Sequence, residues 1–133
     1  RVWFTEEKLQ AIKDLPIWLV QSADDPVVVP ANYMLPTYQA LIQAGAENTW
    51  MSYYETVEGT DSPGTTYLGH FSWIYLFNNQ VTGVQDKEAI AAAADTETFG
   101  SEPSNAAGGG TAAATVGGTT YANIFEWLNA QSK

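Results

Sequence analysis

"IWLVQSADDPVVVPANYMLPTYQALIQAGAENTWMSYYE", residues 17–55, decides the fold. It opens on a short apolar run, Ile17–Gln21, with a β-branched and aromatic bias. Such a run reads as a strand buried on both faces, as in a parallel sheet. "SADDP" then brings turn chemistry. Met34, Leu35, Tyr38, Leu41 and Ile42 recur at helical spacing. Pro36 fits such a helix only in its first turn, and Gly45 is a natural stop just beyond its end. "NTWMSYYE" reads as a second strand, rich in Thr, Trp and Tyr. Strand, helix and strand with short joints make a βαβ unit, so the crossover is expected to be right-handed and the strands parallel. The predicted class is α/β.

On the N-terminal side, "FTEEKLQAIKDL" places Phe4, Leu9, Ile12 and Leu15 at spacings compatible with a short helix. Thr5 is its N-cap, Lys8 and Lys13 are exposed, and Pro16 ends it. On the other side, "TVEGTDSPGTTYLGH", residues 56–70, is a long loop, and long ordered loops tend to be functional. "FSWIYLFNNQ" is apolar and must bury against something. Residues 86–120 are rich in Ala, Gly and Thr and nearly free of bulky side chains. They read as a flexible insertion, with one or two helical turns at "AIAAAA". Gly108–Gly110 lacks the Lys-Ser/Thr of a phosphate loop and reads as linker. "YANIFEWLNAQ" puts Tyr121, Ile124, Phe125 and Leu128 on one face of a final amphipathic helix. The chain therefore divides into a strand-helix-strand unit at 1–85, the insertion at 86–120, and a C-terminal helix at 121–133 that packs back on the same domain.

Composition narrows the function. The 133 residues suit one domain, and 45% hydrophobic residues supply a core. No apolar run is long enough to span a bilayer, and the opening "RVWFTEEKLQ" has no apolar h-region. Without cysteine there are no disulfides and no thiolate metal sites. The net charge is −10, with no Lys or Arg between Asp14 and Asp86. Nucleic acid and anionic membranes would be repelled. An acidic, Lys-poor, aromatic-rich chain fits a secreted protein or one from a salty habitat. Two parallel strands alone cannot cover both faces of a sheet, so the chain is expected to be the C-terminal portion of a larger domain, needing further strands or a partner chain.

Three residues could carry chemistry: Asp24, Asp25 and His70, the one histidine. Asp25 falls just past the first strand and His70 past the second, and sites in open α/β sheets form outside the carboxyl ends of the strands. An Asp that accepts from His Nδ1–H fixes the tautomer and leaves Nε2 to act as base. Each residue alone has a plainer reading. Asp24-Asp25-Pro26 makes a good turn, and a histidine after glycine is often structural. Their placement on corresponding loops of one βαβ unit favours the joint, functional reading. Trp50, Tyr53 and Tyr54 could stack on a sugar or an aromatic ester, although strand aromatics are more often core.

The order strand, "SADDPVVVP", helix, strand, long loop, "GHFSW" and terminal "IFEWLNAQ" resembles the C-terminal third of an α/β-hydrolase. It is most similar to the secreted esterase and predicted-peptidase branch related to polyhydroxyalkanoate depolymerases and feruloyl esterases. Ser22, Asp25 and Val28 match the spacing of that family's acid loop, and Gly69, His70, Ser72 and Trp73 match its histidine context. The resemblance covers about residues 15–77 and the last helix. It implies that Asp25 is the triad acid, with Asp24 as fallback, and that His70 is the base. It implies no metal or organic cofactor. The family's nucleophile elbow, G-x-S-x-G, does not occur here; none of the seven serines has the flanking glycines. The resemblance thus implies a carboxylic-ester hydrolase whose serine lies upstream on an N-terminal segment. The chain alone is expected to be inactive, and oligomeric if isolated. The alternative is a non-catalytic module that binds a carbohydrate or a protein.

Overall fold

The structure is a computed structural model and describes residues 5–58, 66–67, 69, 75, 80–94 and 98–131. Helix α1 is Glu6–Ile12, strand β1 Ile17–Ser22, helix α2 Met34–Gln43 and strand β2 Thr49–Tyr54. Strands β3, Val57–Glu58, and β4, Thr66–Tyr67, form a short antiparallel pair. Helix α3 is Lys87–Ala92. Strands β5, Ala114–Val116, and β6, Thr119–Tyr121, form a hairpin, and helix α4 is Ile124–Ala130. Gly117 and Gly118 turn that hairpin, both with positive φ, as a two-residue turn of the I′ kind requires.

Local signals set the central unit. Thr5 caps α1 by accepting from the Lys8 N–H at 3.3 Å. Pro36 sits in the first turn of α2. At its other end Ala46 N–H donates to Leu41 C=O and Gly45 N–H to Ile42 C=O, with Gly45 at φ +95°. That pair of bonds is a Schellman stop, and it turns the chain directly into β2. β1 and β2 are parallel, with Ile17 opposite Thr49 and Ser22 opposite Tyr54. The expected strand-helix-strand unit with parallel strands is present, and the chain is a mixed helix-and-strand structure around that pair.

Both faces of the pair are covered by the chain's own residues, so the expectation that covering them needs further strands or a partner chain is not met. Met51 and Tyr53 pack with Leu35 and Tyr38 of α2 and Ile90 of α3. On the opposite face Trp50 and Tyr54 pack with Val81, Val84, Ile124 and Trp127. Trp18 and Trp127 meet edge to face at 5.4 Å. Asn48 ties α4 to the start of β2: its Oδ1 accepts from both the Trp50 and Trp127 indole N–H groups, at 2.9 and 2.7 Å.

The Ala/Gly-rich stretch differs from its predicted role. Its expected role is a flexible insertion that buries little, but Ser104 and Gly109 bond the outer edge of β2, beside Gln85 just before the stretch. Gln85 N–H donates to Met51 C=O, Tyr53 N–H to Gly109 C=O, and Ser104 N–H to Tyr53 C=O, at 2.7–2.9 Å. The Gln85 side chain, buried, bridges Glu102 and Gly109 through three further bonds. Absence of bulk is what admits this backbone. A Cβ on Gly109 would lie 2.5 Å from Ser52 Cβ and 2.9 Å from its Cα, and Gly109 has φ +106°. The "GGG" read as linker is therefore a close-packing element.

Two smaller expectations also shift. α4 begins at Ile124 and buries Ile124 and Trp127, leaving Phe125 and Leu128 exposed. β1 is only half-buried over residues 17–20, and among the described residues it is paired along one edge only. In its register Trp18 and Val20 direct their main-chain groups outward, and no main-chain partner meets them among the described residues.

Gly109→Ala is expected to destabilise the chain by about 1–3 kcal/mol, from the positive φ and the overlap with Ser52. Urea unfolding followed by tryptophan fluorescence measures this. An unchanged midpoint would mean that residues 104–110 do not line β2.

Candidate functional site

The acid turn follows β1 directly. Ser22 is fully buried, and its hydroxyl donates to Asp24 Oδ1 at 2.5 Å. Asp25 is buried too, at 7% exposure, although an aspartate in a simple surface turn would be solvated. Its Oδ1 accepts from the N–H groups of Val27 and Val28, both at 2.9 Å. Its Oδ2 accepts from Gln21 Nε2, also at 2.9 Å. The "DDP" sequence builds this locally: Pro26 fixes its own φ, and the Asp side chain bonds the backbone two and three residues on. The turn reading of Asp25 is thus correct, and it coexists with a buried carboxylate at the carboxyl end of a parallel strand.

The later loop comes to the same place. A Cβ on Gly69 would lie 2.7 Å from both the Asp24 carbonyl carbon and the Asp25 nitrogen. Only glycine allows that approach to the Asp24–Asp25 peptide. Tyr75 lies beneath: its ring is 4.3 Å from that of Tyr54, its hydroxyl donates to Thr56 C=O at 2.9 Å, and the Glu58 N–H donates to it at 2.7 Å. Burial raises the Tyr75 phenol; the Glu58 N–H opposes the rise, and the Glu58 and Asp24 charges add to it. Gly69 and Tyr75 therefore both approach the acid turn. His70, Ser72 and Trp73 lie outside the described residues, as do residues 59–65 of the long loop.

Other candidates are elsewhere or differently used. Trp50, Tyr53 and Tyr54 are buried, so they present no stacking face. Lys87 sits 3.5 Å over the Trp50 ring and donates to Glu47 C=O at 3.0 Å. Burial pulls its ammonium down to about 8, with Glu47 opposing. It belongs to the amino end of β2, roughly 20 Å along the strand direction from the acid turn at about 3.3 Å per residue. A concavity of about 460 Å³ is lined by Gln85, Asp86, Gly100, Glu102 and Thr111, again away from Asp25. A shallower apolar trough of about 560 Å³ is lined by Lys8 of α1, Leu19 and Gln21 of β1, Val28, Tyr33, and Met34 and Thr37 of α2. Among the described residues no three His, Cys, Asp or Glu side chains converge as a metal site, and no helix is long and apolar enough to cross a membrane.

One residue of this site was missed in the sequence: Gln21. The signal was a single amide closing an otherwise apolar strand, where a hydrophobic residue would bury at lower cost. The chain matches no protein-family model, no curated protein and no solved structure.

Gly69→Ala is expected to force the loop off the acid turn, lowering stability by about 1–3 kcal/mol and shifting the backbone amide resonances of Asp24 and Asp25. Unperturbed amides at both residues, with unchanged stability, would contradict the close approach.

Proposed function

We propose that the chain is the Asp/His-bearing C-terminal part of a serine hydrolase of α/β-hydrolase type, acting on carboxylic esters, with its serine on a polypeptide segment upstream. The observation that carries this reading is the approach of Gly69 to the Asp24–Asp25 peptide. The residue before His70 is held against the turn that carries a buried, hydrogen-bonded carboxylate. In the reaction His70 accepts the proton of the serine hydroxyl as it attacks the ester carbonyl. It returns that proton to the leaving alcohol, then activates water to release the acid. Asp25 holds the imidazole in the Nδ1–H tautomer and stabilises the imidazolium.

The edge of β1 that no described residue pairs with supports the same reading. Trp18 and Val20 offer outward main-chain groups, and Val27, Val28, Val29 and Tyr33 are exposed apolar residues near that side. An upstream segment adding a strand there would complete the sheet and cover the trough. The acidic, lysine-poor composition fits a secreted parent protein. A sugar-binding module is the weaker reading, because Trp50, Tyr53 and Tyr54 are committed to the core.

Titration of the His70 ring by NMR in the wild type and in Asp25→Asn tests the proposal. Loss of the carboxylate charge is expected to lower the imidazole midpoint by about one pH unit or more. Identical midpoints would refute the pairing. The chain alone is expected not to hydrolyse p-nitrophenyl esters; turnover abolished by His70→Ala would place the nucleophile within these 133 residues instead.

A further inference from the structure

The apolar trough lined from α1, β1 and α2 carries a charge that the fold does not require. Leu19, Val28 and Met34 give it apolar walls, and its volume of about 560 Å³ falls within the range of small-molecule sites, about 300–1,000 Å³. One of its lining residues is a cation, Lys8, and Thr37 adds a hydroxyl from α2. Helix α1 gives no reason for that cation. Lys8 stands third in α1, in the first turn, where the helix dipole favours anions. The positions three and four residues away are Phe4, Thr5, Ala11 and Ile12, so the helix offers it no acidic partner. Among the described residues the one ion pair is Lys13 with Asp14, although the chain carries a net charge of −10. A lysine stem can cover apolar surface, but leucine or methionine would cover it without a charge.

We propose that the trough binds a medium-chain aliphatic carboxylate, with its tail against Leu19, Val28 and Met34 and its carboxylate at the Lys8 ammonium. The charge pattern selects this class. No Asp or Glu is among the described residues that line the trough, so Lys8 attracts a carboxylate and opposes an amine there. The net charge of −10 repels anions at long range, but that repulsion is screened beyond about 8 Å at physiological salt. The contact with Lys8 lies well inside that length. A strand added beside β1 would roof the trough and leave the α1 and α2 residues that line it in place. The site takes nothing from the Asp25–His70 pairing and stands or falls without it.

Titration of the whole chain with sodium octanoate and with octylamine, at about 0.15 M salt, tests this. The Met34 methyl and Thr37 amide resonances report on the trough. Octanoate is expected to shift both saturably, and octylamine is expected to give no saturable shift at either. Lys8→Gln, a change at an exposed residue, is expected to weaken octanoate binding about threefold to fivefold, as for loss of an exposed ion pair. Lys8→Glu is expected to reverse the preference between the two probes. Equal shifts from octanoate and octylamine in the wild type would overturn the carboxylate site and leave an apolar face for a polypeptide to cover. No saturable shift from octanoate, or octanoate binding unchanged in Lys8→Gln, would overturn it as well.

Discussion

β2 is buried at all six of its residues, so each of its main-chain N–H and C=O groups needs a partner inside the protein. β1 serves one edge in parallel register. Residues 85, 104 and 109 serve the other, each reaching β2 from an irregular segment. An unpaired buried peptide group costs about 1–3 kcal/mol, so neither edge could be left open in a chain of this size. The same demand explains the two cores. With β2 bonded on both edges, its alternating side chains divide between α2 and α3 on one face and α4 with its neighbouring loops on the other.

That central strand also fixes where the acid turn and the later loop come together. Parallel pairing sends the carboxyl ends of β1 and β2 to the same end of the sheet. The chain leaving β1 makes the Asp24–Asp25 turn at once, with Ser22 and Gln21 gripping one aspartate each. The chain leaving β2 returns to that end at Gly69 and Tyr75. Lys87 is committed to the opposite end by its contacts with Glu47 and Trp50. The site is thus a product of topology first and of side-chain choice second.

How much of this was legible in the sequence follows from the range of each signal. The βαβ unit was legible because its determinants are local: the spacing of Leu35, Tyr38 and Leu41, proline in the first helical turn, and Gly45 past the last. Asp25 was legible as both a turn residue and a candidate acid. The edge partner of β2 was not, because Gly108–Gly110 is chosen for what it lacks, and lack of bulk reads the same in a linker as in a close backbone contact. The buried stripe of the last helix was misread for a related reason. Tyr121, Phe125 and Leu128 satisfy helical spacing as well as Ile124 and Trp127 do. The choice is made by Asn48, more than seventy residues away in the chain, which accepts from the Trp127 indole. Gln21 was passed over because a polar residue at a strand end looks like an exit from the sheet, and only the fold reveals that it is buried against Asp25.

The proposed hydrolase function requires the Asp25 carboxylate to meet the His70 ring. A crystal structure of the chain, with the 56–75 loop traced, measures that contact directly. The account requires an Asp25 carboxylate oxygen within about 2.6–3.2 Å of His70 Nδ1. An imidazole on the other side of the sheet, or one bonded to Asp24 while Asp25 serves only the turn, would contradict it.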